Sequence, residues 1–306
     1  MVKKTLLTIL CCILFPLCIN ALEGSEKLLF EKNSLYQYIS VVEDSAKKER
    51  YIRNNKRDLR QGGIYLEAPD KLLFEYSRMA FVSLAFLERD PTMVLFVGLG
   101  AGSMPKYFNK YYPDAVTDIV EIDPDIVFVA KKYFNFKENE KMKIYVNDGR
   151  LFIKRTPKKY DIVFLDAYQN DYIPFHLTTL EFLKEVRSRL KEDGVVVSNI
   201  LSEYNNKFFD SMVVTYRKAF PNVYVFQGQE SRNFIFVATM SGKMKVQESV
   251  MADARKIQKF RRMDIDLAGI GESCEYSTAY ERKTAKILTD DFAPVNLYKY
   301  QKSEAR

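Results

Sequence analysis

Three acids stand where carboxylates can do chemistry: Glu121 in DIVEID, Asp148 in VNDGR and Asp166 in YDIVFLDAYQNDYIP. Each follows a short apolar run with the look of a buried strand. Ahead of them lies VLFVGLGAGS, a strand running into Gly98, Gly100 and Gly102. A dinucleotide turn of the G-x-G-x-x-G/A type would need its third small residue where this chain has Ser103. Taken alone, the turn could be a plain strand-to-helix connection. The acids raise its value. Glu121 comes 23 residues after Gly98 (121 − 98). A carboxylate there is acceptor-only and can take both hydroxyls of a ribose. Asp148 can receive the exocyclic amine of adenine, while Gly149 lets the backbone approach the ring. Each acid could instead cap a helix. Their order at the ends of successive strands favours an adenosine-type site. The Walker A lysine pattern is absent, which points to a nucleoside without phosphate, such as S-adenosylmethionine or a relative. Asp166 could deprotonate or orient an incoming amine, because an amine must lose its proton to attack. Its bland alternative is a helix cap or a loop-pinning Asp.

The elements that must hold these residues are legible as an alternation. Short β-rich runs from Ser34 to Glu67, divided by polar or glycine breaks, predict a small antiparallel unit. From Asp70 the spacing of Leu72, Leu73, Tyr76, Met79, Ala80 and Leu84 predicts a helix ending before Pro91. Strands are expected at Met93–Val97, Thr117–Glu121, Lys143–Val146, Asp161–Leu165 and Val195–Ile200. Helices separate them, and NVYVFQ and NFIFVATM form a closing hairpin. Continuous apolar strands with helical crossovers mean an α/β fold with a mostly parallel sheet covered on both faces. Its ligand belongs at the carboxyl ends of the strands. The expected divisions are 1–21 (targeting segment), 22–90 (β-unit plus helix), 91–242 (Rossmann-like nucleoside-binding domain) and 243–306 (basic helix and closing segment).

With 47% hydrophobic residues in 306, the chain can bury a sizeable core. Its 47 basic and 40 acidic residues leave +7. Much of that sits in KKERYIRNNKRDLR, seven basic less two acidic, which reads as a solvated surface and not a nucleic-acid groove. At the N-terminus, Lys3 and Lys4 precede an apolar run from Leu6 to Ile19, with Ala21 before a polar segment. That is the plan of a secretory signal, or of an uncleaved anchor, and Pro16 interrupts it. Either reading places the body across a membrane, in the periplasm or cell envelope; the chain is cytoplasmic if the segment does not target. Cys11, Cys12 and Cys18 fall within this segment, leaving Cys274 alone, and His176 is the one histidine. No thiolate cluster, zinc site or histidine-based triad is expected.

The stretches SLYQYISVVE, VLFVGLGAGS, VEIDPDIV, NDGR, YDIVFLDAY, IPFHLTTLEFL and LTDDFAPVN resemble the polyamine aminopropyltransferases, the spermidine synthase family, in its bacterial spermidine-synthase-like branch. The resemblance implies a class I methyltransferase-like fold preceded by a small N-terminal β-unit. It implies Gln37, Glu121 and Asp148-Gly149 as contacts to decarboxylated S-adenosylmethionine or methylthioadenosine, with the turn glycines beneath. Asp166 falls on the family's proton acceptor. Tyr76, Gln169 and Asp171 are the candidates for holding the amine. No tightly bound cofactor is implied, and a homodimer is the expected assembly. Two departures stand out. Spermidine synthases carry an Asp in the glycine turn where this chain has Ala101, and a second acid after strand four where it has Gln169. Each loss removes a negative charge from a cation's place, about 1.5–3 kcal/mol for a charged hydrogen bond. Three functions follow: aminopropyl transfer, methyl transfer from S-adenosylmethionine itself, or non-catalytic binding of a nucleoside or polyamine.

Overall fold

Valines and isoleucines at the centres of YISVVED and ERYIR bury against one another. They organise the N-terminal sheet of the computed structural model, which describes residues 25–53, 60–167, 173–201, 208–231, 233–280 and 284–293. The targeting segment at residues 1–21, Gln169 and Asp171 lie outside the described residues. The sheet is antiparallel in the order β1 (Glu26–Asn33), β2 (Tyr38–Asp44), β3 (Glu49–Arg53), β4 (Arg60–Tyr65). The first strand was not expected. EKLLFEKN is largely exposed and carries no buried alternation, so only its pairing with β2, Leu28 opposite Val42 and Asn33 opposite Tyr38, reveals it.

The helix expected from Asp70 is shorter. It begins at Glu75 as α1 (Glu75–Met79) and tightens into a 3₁₀ helix over Ala80–Phe86. All seven residues of that second part are buried, packed against the large sheet on one side and a C-terminal helix on the other. A segment enclosed on all sides has no polar face, so its spacing reads as generic helix.

The second sheet contains β5 (Met93–Val97), β6 (Val116–Glu121), β7 (Met142–Val146), β8 (Tyr160–Leu165), β9 (Leu190–Ile200), β10 (Asn222–Gln227), β11 (Phe234–Thr239) and β12 (Cys274–Tyr276). The order is β12-β10-β11-β9-β8-β5-β6-β7, parallel from β9 to β7 and antiparallel beyond. Crossovers are made by α2 (Ser103–Tyr111), α3 (Pro124–Tyr133), α4 (Gly149–Arg155), α5 (Leu180–Ser188) and α6 (Phe209–Ala219). The chain runs outward from β5 to β6 and β7, then returns to β8 on the other side. The order therefore reverses between β5 and β8, and a crevice opens at their carboxyl ends.

After α7 (Gln247–Arg261) and α8 (Leu267–Gly271), the C-terminal extension supplies β12, an unexpected edge strand on β10. The chain then returns to α5. Leu180 donates its amide to the Leu288 carbonyl, and Arg150 of α4 grips both Asp290 and Glu185. The segment past residue 242 is thus part of the same body.

Candidate active site

The glycine turn after β5 is built by positive backbone angles: φ is 102° at Gly98, 53° at Gly100 and 72° at Gly102. Two of these positions also lack room. A Cβ on Gly98 would lie 2.3 Å from the Asp166 carbonyl oxygen, and one on Gly102 would lie 2.3 Å from the Phe136 ring. Gly100 has no such neighbour and faces open space, its nearest atom being the Gln61 carbonyl at 3.9 Å. The turn thus locks β5 against β8 at one end and leaves its middle open.

Glu121 ends β6 with its carboxylate almost fully buried, at 9% exposure. One oxygen accepts the Leu99 amide inside the glycine turn and the other the Asp123 amide, both at 3.0 Å. Burial raises its pKa and the neighbouring Asp123 adds to this, while the donated amides oppose it. Glu121 therefore holds the turn and keeps acceptor capacity beyond these two amides, since a carboxylate has about four acceptor sites. Asp123 caps α3 through the Asp125 amide and takes the Ser34 hydroxyl at 2.6 Å. Ser34 also receives the Gln37 amide at 3.0 Å. By this route the hairpin turn that carries Gln37 comes to the glycine turn, bringing together residues more than 80 positions apart.

Asp148 caps a helix and meets a second side chain. One oxygen accepts the Leu151 amide at 2.8 Å, capping α4, and the other meets His176 Nε2 at 3.1 Å. The His176 bond, more than the donated amides, holds the carboxyl below its usual range. Gly149 also serves packing, because Val97 Cγ1 lies 2.5 Å from where a Cβ would stand. His176 had no role in the sequence reading. Its place beside Asp148 depends on the turn before α5, which no local pattern marks.

Asp166 sits at the carboxyl end of β8, its amide bonded to the Val97 carbonyl. Asn199 Nδ2 donates to its Oδ1 at 3.0 Å, and among the described residues none donates to Oδ2. Burial of the carboxyl raises its pKa to about 7; the Asn199 bond lowers it and the Glu121 charge raises it further. A carboxyl poised near neutrality suits proton transfer. Beside it lies a largely apolar pocket walled by Val97, Leu165, Ile173 and Leu177, with Asn199 and Ser198 supplying polar edges.

Tyr76 of α1 donates its hydroxyl to the Gln61 carbonyl of β4 at 3.1 Å. That strand covers the glycine turn. Ser103 bonds the Gly63 carbonyl, and a Cβ on Gly62 would come within 3.2 Å of Ala101 Cβ. Ala101 is 2% exposed, so the position where the resemblance would have an Asp is sealed beneath the small sheet.

Glycine turn, strand-end carboxylates and a crevice at the sheet's reversal define a nucleoside-binding α/β protein of the methyltransferase-like type. Residues 73–246 match the spermine/spermidine synthase domain, and the chain belongs to that family. It is 33% identical over 302 residues to a polyamine aminopropyltransferase of Vibrio vulnificus, covering 96% of this chain and 97% of that protein. It is 26% identical to the mouse eEF1A lysine and N-terminal methyltransferase, covering 88% of this chain and 43% of that one. The fold matches that of a probable spermidine synthase from Corynebacterium glutamicum with a TM-score of 0.67, at 23% identity over 85% of this chain and 96% of that one.

Proposed function

We propose that this protein transfers an aminopropyl group from decarboxylated S-adenosylmethionine to a small amine, a step of polyamine biosynthesis. The observation that carries the reading is Asp166: a carboxyl at the sheet's reversal, with one oxygen held by Asn199, the other unclaimed among the described residues, and a pKa near neutrality. Glu121 takes the ribose, Asp148 the adenine amine, and Gln37 the sugar side of the nucleoside. The amine nitrogen attacks the aminopropyl carbon attached to sulfur. A C–N bond forms, the C–S bond breaks with its electron pair going to sulfur, and the nitrogen's proton passes to Asp166. The products are a longer amine and methylthioadenosine. Tyr76 is the proposed contact to the acceptor amine. Likeness over nearly the whole length of the Vibrio vulnificus protein supports this assignment. Purified protein given the decarboxylated donor and a panel of diamines should release methylthioadenosine.

One observation favours a second reading, methyl transfer from S-adenosylmethionine. Ala101 is buried against Gly62, so no carboxylate at that position meets an aminopropyl ammonium. The likeness to the mouse methyltransferase is consistent with it. S-adenosylhomocysteine would then be the product. Export or membrane anchoring by residues 1–21 is a separate proposal, resting on the apolar run behind Lys3 and Lys4. No helix among the described residues is long and apolar enough to cross a membrane. A reporter fused after the N-terminal segment tests it by fractionation.

A further inference from the structure

We infer that Asn199 and Asn233 are positioning residues that hold the Asp166 carboxylate, through a chain anchored in the β10–β11 turn. The inference rests on Asp166 being the proton acceptor, and it assigns two residues beyond that reading.

An ionised carboxylate only accepts hydrogen bonds, so the Asn199 atom facing Asp166 Oδ1 at 3.0 Å is its amide nitrogen. That leaves Asn199 Oδ1 as an acceptor, and Asn233 Nδ2 donates to it at 2.9 Å. Asn233 therefore fixes which way round the Asn199 amide stands. Asn199 lies near the end of β9, is 8% exposed, and has no freedom to swing into water. Asn233 is fixed in turn: its carbonyl accepts the Gly228 amide at 2.8 Å across the turn. The turn itself wraps a carboxylate. Glu75 accepts the amides of Gln229, Glu230 and Ser231 and the Ser231 hydroxyl, all at 3.1 Å or less. Glu75 opens α1 immediately before Tyr76. The helix carrying Tyr76 and the carboxylate at Asp166 are thus joined by one continuous set of hydrogen bonds.

The functional consequence is electrostatic. Among the described residues, Glu121 is the charged group acting on Asp166, and its charge favours the protonated form. Asn199 opposes it by stabilising the ionised form, the one that can take a proton. Without this bond Asp166 would stay protonated at neutral pH and lose its function as a base. A merely structural asparagine pair would leave the Asp166 titration where it is.

The test is the titration of Asp166, followed by carbon NMR of its carboxyl in the full chain, alongside the pH profile of turnover. Asn199→Leu should move the titration upward by about one pH unit, as loss of a charged hydrogen bond implies. Asn233→Leu should move it in the same direction by less. Asn199→Gln, which restores an amide, should bring it part of the way back. The acidic limb of turnover should follow each shift, with activity recovering at high pH. An unchanged Asp166 titration in a folded Asn199→Leu protein overturns the inference. If that variant does not fold, Asn233→Leu decides by the same reading. Absence of turnover in the unsubstituted protein would defeat the functional reading while the titration still judges the asparagines.

Discussion

The backbone of Gly98 and the carbonyl oxygen of Asp166 approach so closely that a Cβ at residue 98 would stand 2.3 Å from that oxygen. The glycine turn and the carboxyl end of β8 are therefore one rigid piece, and the residue at 98 also holds φ at 102°. Gly98→Ala meets both a steric and a conformational penalty, of about 1–3 kcal/mol for the strained backbone alone. The variant should melt several degrees lower and lose nucleoside affinity with Asp166 itself unaltered. Differential scanning calorimetry and titration with methylthioadenosine check both.

Glu121→Gln separates the two tasks of Glu121. A glutamine carbonyl can still accept one of the two amides, from Leu99 or Asp123, so the turn should persist. The charged acceptor proposed for the ribose is gone. Loss of a charged hydrogen bond costs about 1.5–3 kcal/mol, so the dissociation constant for methylthioadenosine should rise roughly 10- to 150-fold. Isothermal titration reads it.

The pKa of Asp166 gives predictions of definite sign. Its native carboxyl titrates at about 7, against an ordinary 3.8. Between those values the folded chain keeps a proton that the unfolded chain has lost. The stability this proton contributes is full at acidic pH and disappears as pH rises through about 7. Asp166→Asn removes the penalty of ionising there, so at pH 8 the variant should be about 1–3 kcal/mol more stable than the parent. Its turnover should fall by roughly 10²- to 10⁴-fold. In the parent, turnover should climb between about pH 6 and 8, in step with Asp166 ionisation. Thermal melts and rate measurements across that range check each point.

Asp148 can be divided in the same way. Asp148→Ala removes the α4 cap, worth about 1 kcal/mol, together with the adenine contact proposed for it. Asp148→Asn keeps a capping oxygen for the Leu151 amide and should melt like the parent, yet it loses the charge facing His176. Both should bind the nucleoside less tightly, whereas only the alanine variant should lose stability. Melting curves paired with binding titrations distinguish the two contributions.

The sequence made parts of this site readable and hid others for physical reasons. Strands β5, β6 and β8 are mostly buried and apolar, so Glu121 and Asp166 could be placed at strand ends without coordinates; Asp148 follows the more exposed β7. The capping reading of Asp148 holds, and the same carboxylate also meets His176, a contact the sequence did not indicate. Gly149 was legible as a required glycine, but its packing against Val97 was not, since that partner comes from a different strand. β1 was missed because its residues are mostly exposed, and β12 because three residues make no period. Asn199 left a faint sign, the polar pair Ser198-Asn199 breaking the apolar run that follows Gly194 in β9. Asn233 left none, because its importance lies in a bond to a residue 34 positions away.

The central claim is aminopropyl transfer, and the most direct measurement is of the products. The protein should be incubated with decarboxylated S-adenosylmethionine and a diamine, and in parallel with S-adenosylmethionine and the same diamine. Both reactions are then resolved by mass spectrometry. Methylthioadenosine together with an amine lengthened by one aminopropyl unit, formed only with the decarboxylated donor, is the predicted result. S-adenosylhomocysteine and a methylated amine from the second reaction, with nothing from the first, would contradict it.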